Sequence, residues 1–187
     1  MAKVQYKGWK NRYAYLDDYK PGIDGKYVYY GKHFVLEGGT QSWKSYRLLL
    51  FSAAGIFLAL LIITGLLEAG TYWRQWYTNL SYAFKVVSTF LILWKSVALA
   101  AEKYPVKAHV YKKSVPWYKP CAVISVITGG LSAIAAVICI LAVHEGLIMS
   151  GCILEIVLNL ITAAAGVELY RLLDKYVWMN DPSEEEE

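Results

Sequence analysis

Lys85 and Glu155 each lie deep inside a stretch of sequence that is otherwise largely apolar. In hydrocarbon an isolated charge costs at least about 2.5–3.5 kcal/mol, which makes any such residue a functional candidate by default. Small and polar residues recur around both at steps of three and four, the spacing of one helix face. One series is Thr78, Ser81, Lys85, Ser88 and Thr89, with Ser96 further along; another is Gly151, Glu155, Asn159, Thr162 and Gly166. A third stretch carries Cys121, Ser125, Thr128, Ser132 and Cys139. The chemistry on offer is the handling of a proton, an ion or a small solute by Lys85, Glu155 and Asn159, with Ser81, Ser88 and Thr162 beside them. The competing role is packing, in which small faces let helices approach and a buried pair fixes their register. Packing is the first expectation, because ion pairs can be purely structural.

The depths of the two charges agree. Lys85 follows Trp76 by nine residues and Glu155 follows Gly146 by nine. At helical rise each is about 13 Å inward, near the midplane of a hydrocarbon core roughly 30 Å thick. Opposite charges at one depth offset each other's insertion cost, so the pair is expected to interact, directly or through water. Lys95 and Glu168 fall near a boundary, where long side chains reach water, and are read as structural.

Cys139 and Cys152 sit almost symmetrically about Glu145 and Gly146. Antiparallel helices joined there would bring both thiols to similar depth, as in a redox pair, although small buried hydrophobes are the preferred reading. The chain holds three cysteines and no CxxC, which disfavours a disulfide framework or a cysteine metal site. His33, His109 and His144 lack the spacing of a metal hydrolase, so no metal is expected. No GxSxG, Walker or GxGxxG pattern occurs. The chain is therefore read as a non-enzyme with no catalytic residues and no cofactor.

The elements that must position these residues are helices in a bilayer. Hydrophobic residues make up 57% of the chain and mean hydropathy is +0.33, concentrated in blocks too long for one face of a surface helix. The block 48–67 has twenty residues and no charge, enough to cross a bilayer. The expected spans are about 48–67, 76–99, 120–143 and 147–172. The fold class is an all-α membrane protein, a four-helix transmembrane bundle over 48–172. In an up-down bundle the second and fourth spans are diagonal, so Lys85 and Glu155 would meet across the centre. Trp73 and Trp76 read as interfacial anchors, and Gly129-Gly130 as close-packing glycines.

Residues 1–47 form a polar cytoplasmic segment. Pro21-Gly22 and Asp24-Gly25 are turn dipeptides, and two β-prone runs around Gly31 suggest a hairpin over 26–36. A lone hairpin is marginal in water, so it should lean on the bilayer, a partner or the basic loop near His109-Val110-Tyr111. Gly38-Gly39-Thr40 reads as a linker. The tyrosines of this segment, among them Tyr6, Tyr13, Tyr15, Tyr27 and Tyr30, suggest an interfacial collar or a surface for a partner. No apolar signal-peptide core is visible there. Residues 173–187 read as a cytoplasmic acidic tail.

Orientation follows from the basic residues. Lys and Arg number nine before the first span, one between the first and second, five between the second and third, none before the fourth and two at the end. Every basic-rich segment falls on one side, the side expected to be cytoplasmic, with both termini inside and the plasma (inner) membrane as location. Nucleic acid is not expected as a partner, since the basic flanks abut the spans and no binding motif accompanies them. The expected function is a non-catalytic subunit or accessory component of a membrane assembly. Its partners would be the lipid bilayer and another membrane protein or a second copy. The alternative is a small oligomeric transporter or channel with a polar path near Lys85 and Glu155.

Overall fold

The structure is a computed structural model and describes residues 18–22, 26–67, 71–143 and 147–181. Tyr6, Tyr13 and Tyr15, the Asp24-Gly25 turn, the connection around His144 and the acidic run 184–187 lie outside the described residues. In chain order the elements are β1 (Tyr19–Pro21), β2 (Tyr27–Tyr29), β3 (His33–Leu36), α1 (Gly39–Leu66), α2 (Trp76–Ala100), β4 (Val106–Lys107), α3 (Ala108–Ser114), α4 (Tyr118–Ala142), α5 (Met149–Leu173) and β5 (Trp178–Asn180). Helices α1, α2, α4 and α5 are long and apolar enough to cross a membrane. Short α3 and a 3-10 turn, Val115–Trp117, extend the third of them back to Ala108.

The four long helices form a ring in which α1 packs on α2, α2 on α4, α4 on α5 and α5 on α1. Helices α2 and α5 are therefore diagonal. The outer faces are apolar: Ile62, Phe84, Val87, Leu131, Ile134 and Leu160 are all exposed. Water would not tolerate so large an apolar surface on a monomer, whereas hydrocarbon suits it. The polar stripes turn inward, with Thr78, Lys85, Ser88, Ser125, Ser132, Glu155, Asn159 and Thr162 all buried.

Helices α4 and α5 pack most extensively, and glycine is the reason. A Cβ on Gly129 would stand 2.8 Å from the Asn159 carbonyl oxygen and 2.9 Å from the Ala163 nitrogen. A Cβ on Gly166 would stand 2.9 Å from the Ala122 carbonyl oxygen. Neither position has room for a side chain without parting the helices. Gly130 departs from the expectation, since a Cβ there would meet nothing within 4 Å. Consecutive helical residues point about 100° apart, so only one of two adjacent glycines can face the same neighbour.

Helix α1 begins at Gly39 rather than near residue 48, so the expected linker is largely its first turn. Gly38 and Gly39 take φ of 85° and 66°, a left-handed turn that glycine adopts without steric cost. The polar residues beyond it stay helical because Trp43, Tyr46 and Leu50 share one face and bury it completely.

The strands also pair differently from the expected hairpin over 26–36. β2 pairs with β1, while β3 is the central strand of an antiparallel sheet with β4 and β5 on its flanks. Local turn chemistry places strands but does not choose partners for runs this short. Burial chooses here: Leu36 opposes Trp178 and Phe34 opposes Val106, with Leu36 and Val106 both buried. Phe34 also stacks on Tyr111 at 4.0 Å. Residues 173–187 are accordingly not a tail throughout, since 178–180 form β5. Its Trp178 packs against Trp43, Tyr46 and Tyr111, an apolar anchor for that segment. This sheet gathers the segments before α1, between α2 and α4, and after α5 at one end of the bundle.

Candidate functional site

At the other end of the bundle, α1, α2, α4 and α5 converge on a buried polar cluster. Helix α2 supplies Lys85, which is 3% exposed, and α5 supplies Glu155 and Asn159, at 0% and 1%. The Lys85 ammonium donates to Asn159 Oδ1 at 2.7 Å and to Thr64 Oγ1 at 3.3 Å. Asn159 in turn donates through Nδ2 to Glu155 Oε2 at 3.2 Å. The expected interaction of Lys85 with Glu155 is thus carried by the Asn159 carboxamide rather than by a direct ion pair. Glu155 and Asn159 stand four residues apart on one helix, which stacks their side chains on a single face. The amide dipole lies with its oxygen toward the cation and its nitrogen toward the carboxylate, the favourable sense for both charges.

Two polar atoms in this cluster lack partners. Glu155 Oε1 and Ser132 Oγ are buried and make no hydrogen bond. Both residues border one crevice together with Thr64, Thr78, Ser81, Lys85 and Asn159. The crevice is narrow, its walls too close together to seat a water molecule.

The connection between α1 and α2 folds over this end. A 3-10 turn, Thr71–Arg74, is pinned by Trp73 Nε1 donating to the Leu67 carbonyl at 3.0 Å and by Asn79 Nδ2 donating to the Trp73 carbonyl at 2.9 Å. The Thr78 hydroxyl lies 2.7 Å from the carbonyls of both Tyr72 and Gln75. Tyr72 is buried beneath the turn, and burial, then the Glu155 charge, raises its phenol above the usual range. Trp73, one of the two expected interfacial anchors, is half-buried. Its ring turns inward onto Tyr72 and Tyr82 at 5.0 and 5.3 Å, while Trp76 remains 73% exposed. The indole N–H has a backbone carbonyl to bind inside, which removes its need for water.

Of the six residues expected in the constellation, Lys85, Asn159 and Glu155 form the hydrogen-bonded chain and Ser81 borders the crevice. Ser81 donates to its own helix at the Thr78 carbonyl, at 2.9 Å. Ser88 and Thr162 are buried but stand apart from the chain, one turn closer to the sheet. Their hydroxyls return to the carbonyls of Lys85 and Leu158 at 3.0 and 2.8 Å. Such back-bonding satisfies a hydroxyl in an apolar interior and leaves its donor unavailable to a passing solute.

Thr64, Tyr72 and Ser132 were not singled out for the site by sequence. Ser132 stood in a recognised stripe, so its helical spacing could have placed it there. Thr64 had no such signal, being one of two isolated hydroxyls in the first span. Tyr72 lies in a connection, and only folding carries it inward. Cys139 and Cys152 are both fully buried, share an apolar cluster with Tyr72 and Ala136, and are not disulfide-bonded. Among the described residues no three of His, Cys, Asp and Glu gather to hold a metal ion.

The arrangement holds the Lys85 ammonium and the Glu155 carboxyl at opposite ends of one carboxamide. It has no volume for a solute. Comparison with protein-family models, with curated proteins and with solved structures finds no match for this chain.

Proposed function

We propose that this chain is a non-catalytic component of a membrane assembly, and that Lys85, Asn159 and Glu155, with Thr64, lock the register of three of its four spans. The observation that carries this reading is the closure of the lysine–glutamate pair by Asn159 in a crevice too narrow for water. A conducting path needs vacant volume or exchangeable donors, and the nearby Ser88 and Thr162 hydroxyls are committed to their own backbone. A buried polar cluster joining three helices serves instead to select one alignment among those that apolar packing permits.

The same reading places the protein in the plasma membrane with the sheet end cytoplasmic. The distribution of Lys and Arg supports that orientation, because it concentrates them in the segments gathered there. Exposed Tyr27 and Tyr30, on and beside β2, support a partner at that end.

A second reading, an oligomeric proton carrier, is favoured by the unpartnered Glu155 Oε1 and Ser132 Oγ. Buried acceptors without donors cost free energy, and a proton or a transient water would relieve that cost. One experiment separates the two. Purified protein is reconstituted into vesicles enclosing a pH-sensitive dye, and wild type is compared with Glu155→Gln under an imposed potential. The register reading expects no proton flux above empty vesicles from either protein. Flux from wild type that disappears in Glu155→Gln overturns it in favour of the carrier.

A further inference from the structure

A second cavity lies at the opposite end of the molecule, between the sheet and the helix ends, with a volume of about 310 Å³. At roughly 30 Å³ per water-sized group, that is room for about ten heavy atoms. Its walls include Tyr46, Tyr111, Tyr176 and Trp178, and its charged groups are Lys119 and Asp174. The aromatic walls are braced against one another. Tyr46 meets Tyr176 at 4.9 Å and Trp178 at 5.5 Å, and Tyr111 meets Trp178 at 5.1 Å. Such contacts hold the cavity open without a ligand, so binding would carry little ordering cost.

Lys119 and Asp174 form an ion pair, and both are about half exposed. An exposed pair contributes no more than about 1 kcal/mol, so it opens readily. The Lys119 ammonium also lies over the face of Tyr170, 5.6 Å from the ring centroid. A ligand of one sign would match one of these charges and strand the other. A ligand bearing both signs can exchange partners with the pair, its anion going to Lys119 and its ammonium to Asp174. Aromatic rings in the wall add to the second half of that exchange, since such rings attract ammonium groups. The carboxyl end of α5, beside Asp174, favours a cation as well.

We propose that this cavity binds a zwitterion of the aminoalkyl phosphate type, with phosphate on Lys119 and ammonium among Asp174 and the aromatic rings. A phospholipid headgroup and a free aminoalkyl phosphate share that chemistry. The site is independent of the Lys85 cluster. It relies on the membrane reading only for the lipid as a source.

The test is calorimetric titration of the full chain in maltoside detergent with four probes. These are dihexanoylphosphatidylethanolamine, dihexanoylphosphatidylglycerol, glycerophosphoethanolamine and ethanolamine. The expected result is that the zwitterionic lipid binds at least tenfold more tightly than the anionic one, with ethanolamine weaker still. Asp174→Asn and Lys119→Gln should each weaken it at least fivefold. Val115→Phe, which narrows the cavity and spares the ion pair, should abolish binding with an unchanged thermal midpoint. Equal affinity for glycerophosphoethanolamine would support the site and assign a soluble source, whereas loss of affinity without the acyl chains would support it and assign the bilayer. Equal binding of the anionic lipid, insensitivity to the three variants, or no binding of either zwitterion overturns the proposal. Proton flux plays no part in these readouts, so failure here and failure of the register reading are distinguishable.

Discussion

The Lys85 ammonium reaches the Asn159 carboxamide oxygen at 2.7 Å, across the diagonal of the bundle. Because Asn159 also holds Glu155, removing any one of the three leaves a buried polar group without its partner. Breaking a buried charge pair from one side costs about 3–5 kcal/mol, whereas replacing both partners by apolar or neutral groups is often tolerated. Lys85→Met is therefore expected to lower the thermal midpoint in detergent strongly, and Lys85→Met with Glu155→Gln to recover much of the loss. A double-mutant cycle reads the coupling directly. Additive losses would show that the three side chains do not act as a unit.

The two adjacent glycines of α4 should respond in opposite directions. Gly129→Ala forces a methyl against the Asn159 backbone and should destabilise by about 1–3 kcal/mol. Gly130→Ala meets nothing and should be neutral or gain up to about 1 kcal/mol from helix propensity. Thermal midpoints of the two variants, measured side by side, check the contrast.

Ser88→Ala and Thr162→Val should each change stability by less than about 1 kcal/mol. Their hydroxyls bond carbonyls that already serve the helix, so their removal strands nothing. A collapse of either variant to aggregate during size-exclusion chromatography would show that these hydroxyls have partners beyond their own helix.

Trp178→Ala should loosen the sheet rather than the bundle. The half-buried indole contacts Trp43, Tyr46 and Tyr111, and its loss should cost about 2–3 kcal/mol, below the range for a fully buried tryptophan. Amide exchange should accelerate in 33–36 and 106–107 while the centres of α4 and α5 stay protected. Uniform loss of protection would mean that sheet and bundle unfold together.

Orientation is open to direct labelling. With Gln75→Cys and, separately, Val28→Cys, an impermeant maleimide applied to intact cells should modify the first alone. The native cysteines are buried and give a low background. Modification of Val28→Cys without permeabilisation would reverse the proposed topology.

The four helices long and apolar enough to cross a membrane were legible in sequence because the rule that marks them is local. An apolar block must satisfy its backbone by itself, so length and composition are sufficient to mark α1, α2, α4 and α5. The inward faces were legible for a related reason, since the helical period fixes which residues share a side. Lys85, Glu155 and Asn159 could therefore be grouped before any contact was known. The depth expected of them, near the middle of the spans, differs from the position of the cluster toward the end of the bundle where α1 ends and α5 begins.

Partner choice was not local, and there the tertiary structure decided. The β3 strand passes over its sequence neighbour and pairs with segments about 70 and 140 residues away, because burying Leu36 against Trp178 outweighs a short loop. Asn159 joins Lys85 to Glu155, because α2 and α5 approach closely enough for its carboxamide to reach both. Thr64 and Tyr72 reach the cluster only once α1 and the turn after it have folded against α2. Periodicity along one helix determines which way a side chain faces; what it meets there depends on how closely the other helices approach, and between α4 and α5 Gly129 and Gly166 set that distance.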